Sequence, residues 1–424
     1  MNLVRVVAGV LLALILLTHP YLQLEVVSGA FNAPVADVMA ILLVAGYGLA
    51  GLLVRARPYV GSLPGFGGEK SIRRPWLGFP HAFWWGAFLV ALTLSLVHSP
   101  YLRHSAWWIL RKPTFVYLTY GVGLAGVVAW LERPRWVVMM VQLTCLLGSV
   151  LMLRYGLPMW LEGHATEPAR VPGLINNHKA IAVALAPLWV FLLRLWWDKR
   201  QYWQGFILLF VTTALLLSLS KTAFVAMGLG LALMYRGWPT GGRGLVTRPG
   251  LVVGVLALLT GLMLALPWLV GDRSMVNAFD ARQSLNLRSW LMFREHPLLG
   301  WGPNMSVWYE LDMAPHWRIN GVEAHGVFQK VMAEAGLVGL CTWGGFAVWM
   351  LRSTWRQLSP GEAEPSPSGP MREAAALLIL CLYVSLLLST EMFTVAHWAP
   401  LGMGLGLLSE SELRTRVRNS DSRS

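Results

Sequence analysis

Charged residues are scarce in this chain of 424 residues: they make up 13% of it, whereas a soluble domain carries about 25%. Cysteine is rarer still, with three residues far apart in apolar runs, which excludes a disulfide framework. The spacings of His and Cys that are typical of zinc or redox sites are missing, as is any nucleic-acid-binding module. We therefore expect no metal, no cofactor and no nucleic-acid partner.

Apolar residues dominate instead, at 56% of the chain, and they recur in runs of membrane-spanning length from end to end. This pattern predicts an all-α polytopic membrane protein with about twelve transmembrane helices. We expect the first run to be retained, because no small-residue cleavage site follows it. The predicted spans lie at 3–18, 34–54, 80–98, 113–131, 135–153, 174–197, 203–218, 221–236, 249–270, 325–351, 372–390 and 393–409.

The distribution of charge between these spans predicts their orientation. Most of the 34 Lys and Arg residues fall in segments that are cytoplasmic if the N-terminus is cytoplasmic, as the positive-inside rule requires. Both termini are then cytoplasmic, and residues 410–424 form a cytoplasmic tail. We expect residues 1–424 to be a single membrane domain, whose one long polar loop, 271–325, lies on the outer face.

Several basic residues nevertheless fall on the predicted outer face, against the positive-inside rule. Those singled out as ligands for an anion are Arg170, Lys179, Lys221, Arg288 and Arg294. Arginine suits phosphate because its guanidinium binds two oxygens at once, and lysine offers a point charge. The alternative is that these side chains extend to the membrane interface without a ligand.

His325 opens the tenth predicted span, two residues after Glu323. A neutral imidazole at that place has the proton affinity of a general base, and Glu323 would orient it or act as the base itself. Trp290 and Trp301 in the long loop could stack on sugar rings. The alternatives are a histidine that only forms hydrogen bonds at the interface, and tryptophans that only pack the loop on the membrane.

The order of these features resembles the O-antigen ligase family, the lipopolysaccharide ligases related to O-antigen polymerases. Arg288 and Trp290 are followed by PLLGWG at 297–302, and His325 then opens an apolar helix that carries EAGLVG at 334–339. The span count and the single large loop between the ninth and tenth spans fit the same family.

The resemblance implies a fold like that of the GT-C glycosyltransferases and an active site on the periplasmic face of a Gram-negative inner membrane. It implies the transfer of O-antigen glycan from undecaprenyl diphosphate to lipid A–core, without a metal. Carried over by position, Arg288 and Lys221 would bind the diphosphate and His325 would be the base. Lys221 stands where many members have Arg, and Gly326 where many have Asn.

Two other functions fit the same residues. An O-antigen polymerase or a protein O-oligosaccharyltransferase would use the same lipid-linked donor with another acceptor. A transporter of an anionic lipid or solute would use the same basic groups without chemistry, although no paired broken helices typical of inverted-repeat transporters are visible in the sequence.

Overall fold

The computed structural model of the protein is almost entirely helical. It describes residues 81–131, 134–162, 178–236, 274–309, 326–358, 369–388 and 397–408, two short strands at 23–26 and 31–34, and single positions at 10, 11, 15 and 42. The strands β1 (Gln23–Val26) and β2 (Phe31–Pro34) pair antiparallel. The sequence pattern did not predict this hairpin.

The helices follow in chain order. They are α1 (His81–Ser95), α2 (Leu102–Ile109), α3 (Ala125–Leu131), α4 (Pro134–Leu161), α5 (His178–Lys199), α6 (Tyr202–Leu217), α7 (Lys221–Arg236), α8 (Ser274–Glu295), α9 (Val327–Leu358), α10 (Gly369–Leu388) and α11 (397–408). Turns of 3₁₀ helix lie at Leu96–His98 and Met305–Val307, and π-helix lies at Leu110–Thr114 and Tyr117–Leu124.

Three of the described helices, α4, α9 and α10, are long and apolar enough to cross a membrane. Helices α1, α5, α6 and α7 contain shorter apolar stretches of 10–17 residues. A bilayer core about 30 Å thick takes about 20 residues of helix. These helices indicate a membrane protein, as the composition predicts.

Helix α5 is the centre of the bundle. It packs on α4, α6, α7 and α10, and nearly every residue from 181 to 192 is buried. A helix that is apolar on all sides is stable in that position, since each face meets another helix. The outer helices leave apolar stripes exposed instead. On α4 the stripe consists of Trp136, Met139, Leu143, Leu147 and Val150, whose helical spacing suits contact with lipid.

The bundle has two distinct ends. At one end Arg194 near the end of α5 forms an ion pair with Glu373 near the start of α10, with 2.6 Å between nitrogen and oxygen. Arg372 donates to Gln357 at the end of α9 on the same side. The start of α9 therefore faces the opposite end, where α8 and residues 296–309 pack against it.

Helices occupy the predicted apolar runs from 80 onward wherever those residues are described. The predicted spans at 3–18, 34–54 and 249–270 lie outside the described residues, apart from the single positions named above. The main difference is in the polar segment 271–325, which we expected to be a loop. Its first part is the 22-residue helix α8.

Candidate functional site

The site is built around a break in α9. At Gly336 the backbone leaves the helical region, with φ 61° and ψ −155°, so residues 327–335 form a separate half-helix. The loop 297–302 binds to this break through its backbone: Trp301 N–H donates to the Ala333 carbonyl and Gly302 N–H to that of Glu334, both at 3.0 Å. These bonds satisfy carbonyl groups that the broken helix cannot pair itself.

Two further hydrogen bonds have their donors in α9 and their acceptors in the loop. Leu337 N–H donates to the Pro297 carbonyl at 2.9 Å, and Val338 N–H donates to the Leu298 carbonyl at 3.1 Å. The PLLGWG and EAGLVG segments, which are far apart in the sequence, are therefore joined by three backbone hydrogen bonds, and the bond to Ala333 lies directly beside them. The resemblance rests on these segments only as ordered motifs, and the structure shows that they pack on each other.

Glycine is required on both sides of this junction. A Cβ atom on Gly300 would lie 2.4 Å from the carbonyl carbon of Glu334, and one on Gly336 would lie 2.5 Å from that of Leu298. Both glycines have a positive φ, which a residue with a side chain rarely adopts. The two backbones can approach this closely only because neither residue has a side chain.

Beneath the junction lies a buried charged cluster. Arg288 of α8 is fully buried, and Glu334 of α9 is 2% exposed. The Ser306 hydroxyl donates to Oε1 of Glu334 at 2.6 Å. Burial lowers the pKa of Arg288, and the charge of Glu334 acts to raise it, so the carboxylate opposes the loss of the arginine's charge. The cluster connects α8, the loop 296–309 and the half-helix.

The segment that follows α1 supports the loop from its other side. The His98 ring donates from Nδ1 to the Gly300 carbonyl at 3.1 Å, and the Ser105 hydroxyl donates to the Pro303 carbonyl at 2.8 Å. The Ser99 hydroxyl is 2.8 Å from that of Ser105. The loop is thus held between α9 and the segment 98–105.

Aromatic rings also contribute to the contact between the segment 98–105 and the loop. His98 and His296 stack with ring centroids 4.1 Å apart, and the edge of Trp301 meets His296 at 5.0 Å. Burial lowers the pKa of His296, the neighbouring His98 lowers it further, and the Glu295 carboxylate acts in the opposite direction. The stack therefore favours a neutral His296.

Two aromatic rings on the rim of the loop remain half exposed. Tyr101 and Trp308 are 54% and 53% exposed, with ring centroids 5.6 Å apart. The side-chain amide of Asn304, a residue with a positive φ of 63°, donates to Nε2 of His104 at 3.0 Å. Because His104 also meets the edge of Trp308, aromatic faces and polar groups lie side by side here.

Lys221, one of the predicted diphosphate ligands, is the first residue of α7 and is exposed. It follows a tight turn in which Leu219 has a positive φ and the backbone N–H of Ser220 donates to the Ser218 hydroxyl. A helix N-terminus carries partial positive charge, which disfavours a cation and favours an anion. Lys179 lies in the first turn of α5, and its side chain is outside the described part of the chain.

The other predicted ligands on α8 have different surroundings. Arg288 is buried as described, whereas Arg294 is exposed in the last turn of the helix, where the helix dipole favours a cation. Trp290 is 49% exposed and leaves part of its ring accessible. Trp301 is more enclosed, because the rings of His296 and Tyr309 meet it.

His325, Glu323 and Arg170 lie outside the described residues, so their predicted roles stay predictions. The next described residue is Gly326, which has a positive φ of 95° and directly precedes α9.

Sequence reasoning missed several residues of this site, above all Ser306, His98 and Ser105. It included Glu334 only as part of the EAGLVG motif and gave it no functional role, although an acid within an apolar run is unusual enough to mark a functional position. The serines carry no such signal, because only the fold brings them to the loop.

Among the described residues, no group of three or more His, Cys, Asp or Glu side chains could hold a metal ion. No family model matches the chain. A search of curated proteins likewise returned no match.

Proposed function

We propose that the protein is an O-antigen ligase, which transfers O-antigen glycan from undecaprenyl diphosphate to lipid A–core at the periplasmic face of a Gram-negative inner membrane. The observation that carries this proposal is the junction between 297–302 and 333–338. Two of the motifs on which the resemblance rests meet there, at the base of the half-helix that begins just after His325. The proposal includes about twelve spans, a GT-C-like architecture and cytoplasmic termini.

In the proposed reaction a hydroxyl oxygen of the acceptor sugar attacks the anomeric carbon of the donor glycan. The bond from that carbon to the diphosphate oxygen breaks, and undecaprenyl diphosphate leaves with the electron pair. His325 takes the proton of the acceptor hydroxyl, and Glu323 orients the imidazole. Attack from the face opposite the leaving group inverts the anomeric centre. Diphosphate is a good leaving group once its charge is stabilised, so the step depends on cations more than on an acid.

Lys221 is the clearest member of the proposed diphosphate clamp. A lysine that is exposed at the first residue of a helix can bind a phosphate together with the partial positive charge of the helix N-terminus. Arg170, Lys179, Arg288 and Arg294 are the further proposed contacts. A phosphate that reaches Arg288 must pass below the outer surface, because that side chain is fully buried.

The glycan would pass along the rim of the loop. Tyr101 and Trp308 offer two exposed rings there, and Trp290 on α8 offers another exposed ring. Aromatic faces cover the apolar C–H surface of a sugar, while Asn304 and His104 supply polar groups for its hydroxyls. Trp301 contributes to the packing of the loop more than to an exposed surface.

Transfer by the purified protein tests this function directly. Undecaprenyl-diphosphate-linked glycan and lipid A–core are incubated with the protein in the presence of EDTA, and the products are separated by size. We expect lipid A–core enlarged by the glycan. Glycan that lengthens on undecaprenyl diphosphate would show a polymerase, and glycan on an added acceptor protein a protein O-oligosaccharyltransferase. An unconsumed donor with every acceptor would favour the transporter.

The variant H325A tests the base in the same assay. We expect transfer to fall by about 100-fold or more, the range in which removal of a general base lies, while the yield and elution of the protein stay unchanged. The matched control is E373Q, which alters a side chain at the opposite end of the bundle that has no role in the proposed reaction. Full activity of a well-folded H325A would overturn the assignment of the base.

A further inference from the structure

The half-helix 327–335 can move independently of the rest of α9 unless something fixes it. Gly336 breaks the helix with a non-helical backbone, so the ordinary hydrogen bonds of a continuous α-helix do not transmit rigidity across this point. Whatever holds the half-helix therefore determines its position relative to α8 and the loop 296–309. Glu334 has contacts or charge interactions that connect the half-helix to two other elements, α8 and the loop 296–309.

The carboxylate of Glu334 is buried, which is unfavourable for a charged group by itself. It is 2% exposed, and a buried ion is stable only when charge and hydrogen bonds compensate it. Here Ser306 donates to its Oε1 at 2.6 Å, and its charge acts on the fully buried Arg288. Its own backbone carbonyl accepts from Gly302. One residue therefore contacts the loop twice and interacts with α8.

We propose that Glu334 is a positioning residue for glycan transfer, which holds α8 and the loop 296–309 on the half-helix and so places Arg288 relative to that loop. This inference rests on the proposed function. It also makes a structural claim that holds without it: the negative charge of Glu334 stabilises the junction between 297–302 and 333–338.

The variant E334Q isolates that charge. Glutamine has almost the same size, and its carbonyl oxygen still accepts from Ser306, but it cannot balance Arg288. We expect kcat for transfer to fall about 10- to 100-fold, as a displacement of about 1 Å can cause, with a smaller change in KM for the acceptor. E334D keeps the charge on a shorter side chain and should recover part of the lost kcat.

Glu373 supplies a matched control. Its carboxylate forms an ion pair with Arg194, with 2.6 Å between Nη2 and Oε2, at the opposite end of the bundle. E373Q removes the same charge from a helix of the same membrane domain. We expect it to leave kcat for transfer within about twofold of the wild type, because this pair lies at the opposite end of the bundle from the junction between 297–302 and 333–338.

Hydrogen exchange of the backbone amides supplies a readout that does not depend on activity. We expect E334Q to exchange faster than E373Q at Trp301, Gly302 and Leu337, whose N–H groups form the junction. Faster exchange together with lower kcat and partial recovery in E334D supports the proposal. Unchanged exchange overturns it, whatever happens to kcat. Faster exchange with unchanged kcat also overturns it, because the junction would then be stabilised without positioning the reaction.

These outcomes are distinguishable from a failure of the proposed function. If the wild-type protein transfers no glycan to any acceptor, the ligase assignment fails on the transfer assay alone. The exchange comparison of E334Q with E373Q still decides the structural claim about Glu334. Should E334Q not accumulate, the double variant R288M/E334Q removes both charges and should accumulate better, since a buried pair replaced as a whole is tolerated better than a single unbalanced ion.

Discussion

At the scale of single residues, His296 is a group outside the predicted membrane spans whose protonation the structure disfavours. It stacks on His98 at 4.1 Å and meets the edge of Trp301, and burial followed by the charge of His98 lowers its pKa. In the unfolded chain a histidine titrates near pH 6.5, so the unfolded state binds the proton first as the pH falls. The stability that neutral His296 contributes is complete above about pH 6.5 and is lost below it.

The variant H296F tests this dependence, since phenylalanine keeps a flat ring in the stack and takes up no proton. We expect the apparent Tm of the wild type in detergent to fall more than that of H296F between about pH 7.5 and about pH 5.5. Thermal unfolding followed by circular dichroism measures both. Equal decreases in the two proteins would show that another group controls the response to acid.

Arg288 shows which properties of a residue a local sequence pattern can predict and which it cannot. Its place in the outer segment, before the PLLGWG motif, made it a candidate anion ligand. Its complete burial could not be predicted, because burial depends on Glu334 and Ser306, which belong to other elements. A local pattern shows that a residue is charged, but not which distant residue balances the charge.

At the scale of elements, the break in α9 is the feature that local patterns conceal. The run from 327 onward is apolar, lacks proline and was predicted as one continuous span. The helix ends at Gly336 because the loop 297–302 supplies hydrogen bonds that replace those of the helix. Helix α8 was missed for a similar reason: its mixed charged and apolar residues give no membrane-spanning run, and its packing on α9 stabilises it.

The glycines at this break lead to a prediction about stability. We expect G336A and G300A to lower the free energy of unfolding by about 1–3 kcal/mol each, the range for a residue forced into an unfavourable backbone conformation, and a clash of the added Cβ with the opposite backbone adds to this. The Tm of each variant in detergent measures the effect.

Gly344 provides the control in the same helix. An added Cβ there meets nothing within 4 Å, and replacing a helical glycine by alanine stabilises by about 0.5–1 kcal/mol. G344A should therefore keep or raise the Tm. A G336A protein as stable as G344A would contradict the view that the junction requires glycine.

At the scale of the whole molecule, the two ends of the bundle carry different groups. One end carries the ion pair between Arg194 and Glu373 together with Arg372, and the other carries the loop 296–309 and the start of α9. The positive-inside rule, applied to the whole sequence, assigns the first end to the cytoplasm. The proposed reaction requires the second end to face the periplasm, because both lipid-linked substrates are used there.

Labelling of single cysteines tests this orientation. In a variant with Cys145, Cys341 and Cys381 replaced by alanine, Leu298 and Gln201 are changed one at a time to cysteine. Both positions are exposed, the first in the loop 296–309 and the second between α5 and α6. A maleimide that does not cross membranes should label L298C in spheroplasts, whereas Q201C should react only after lysis. The reverse pattern would place the loop in the cytoplasm, where the proposed transfer to lipid A–core could not occur.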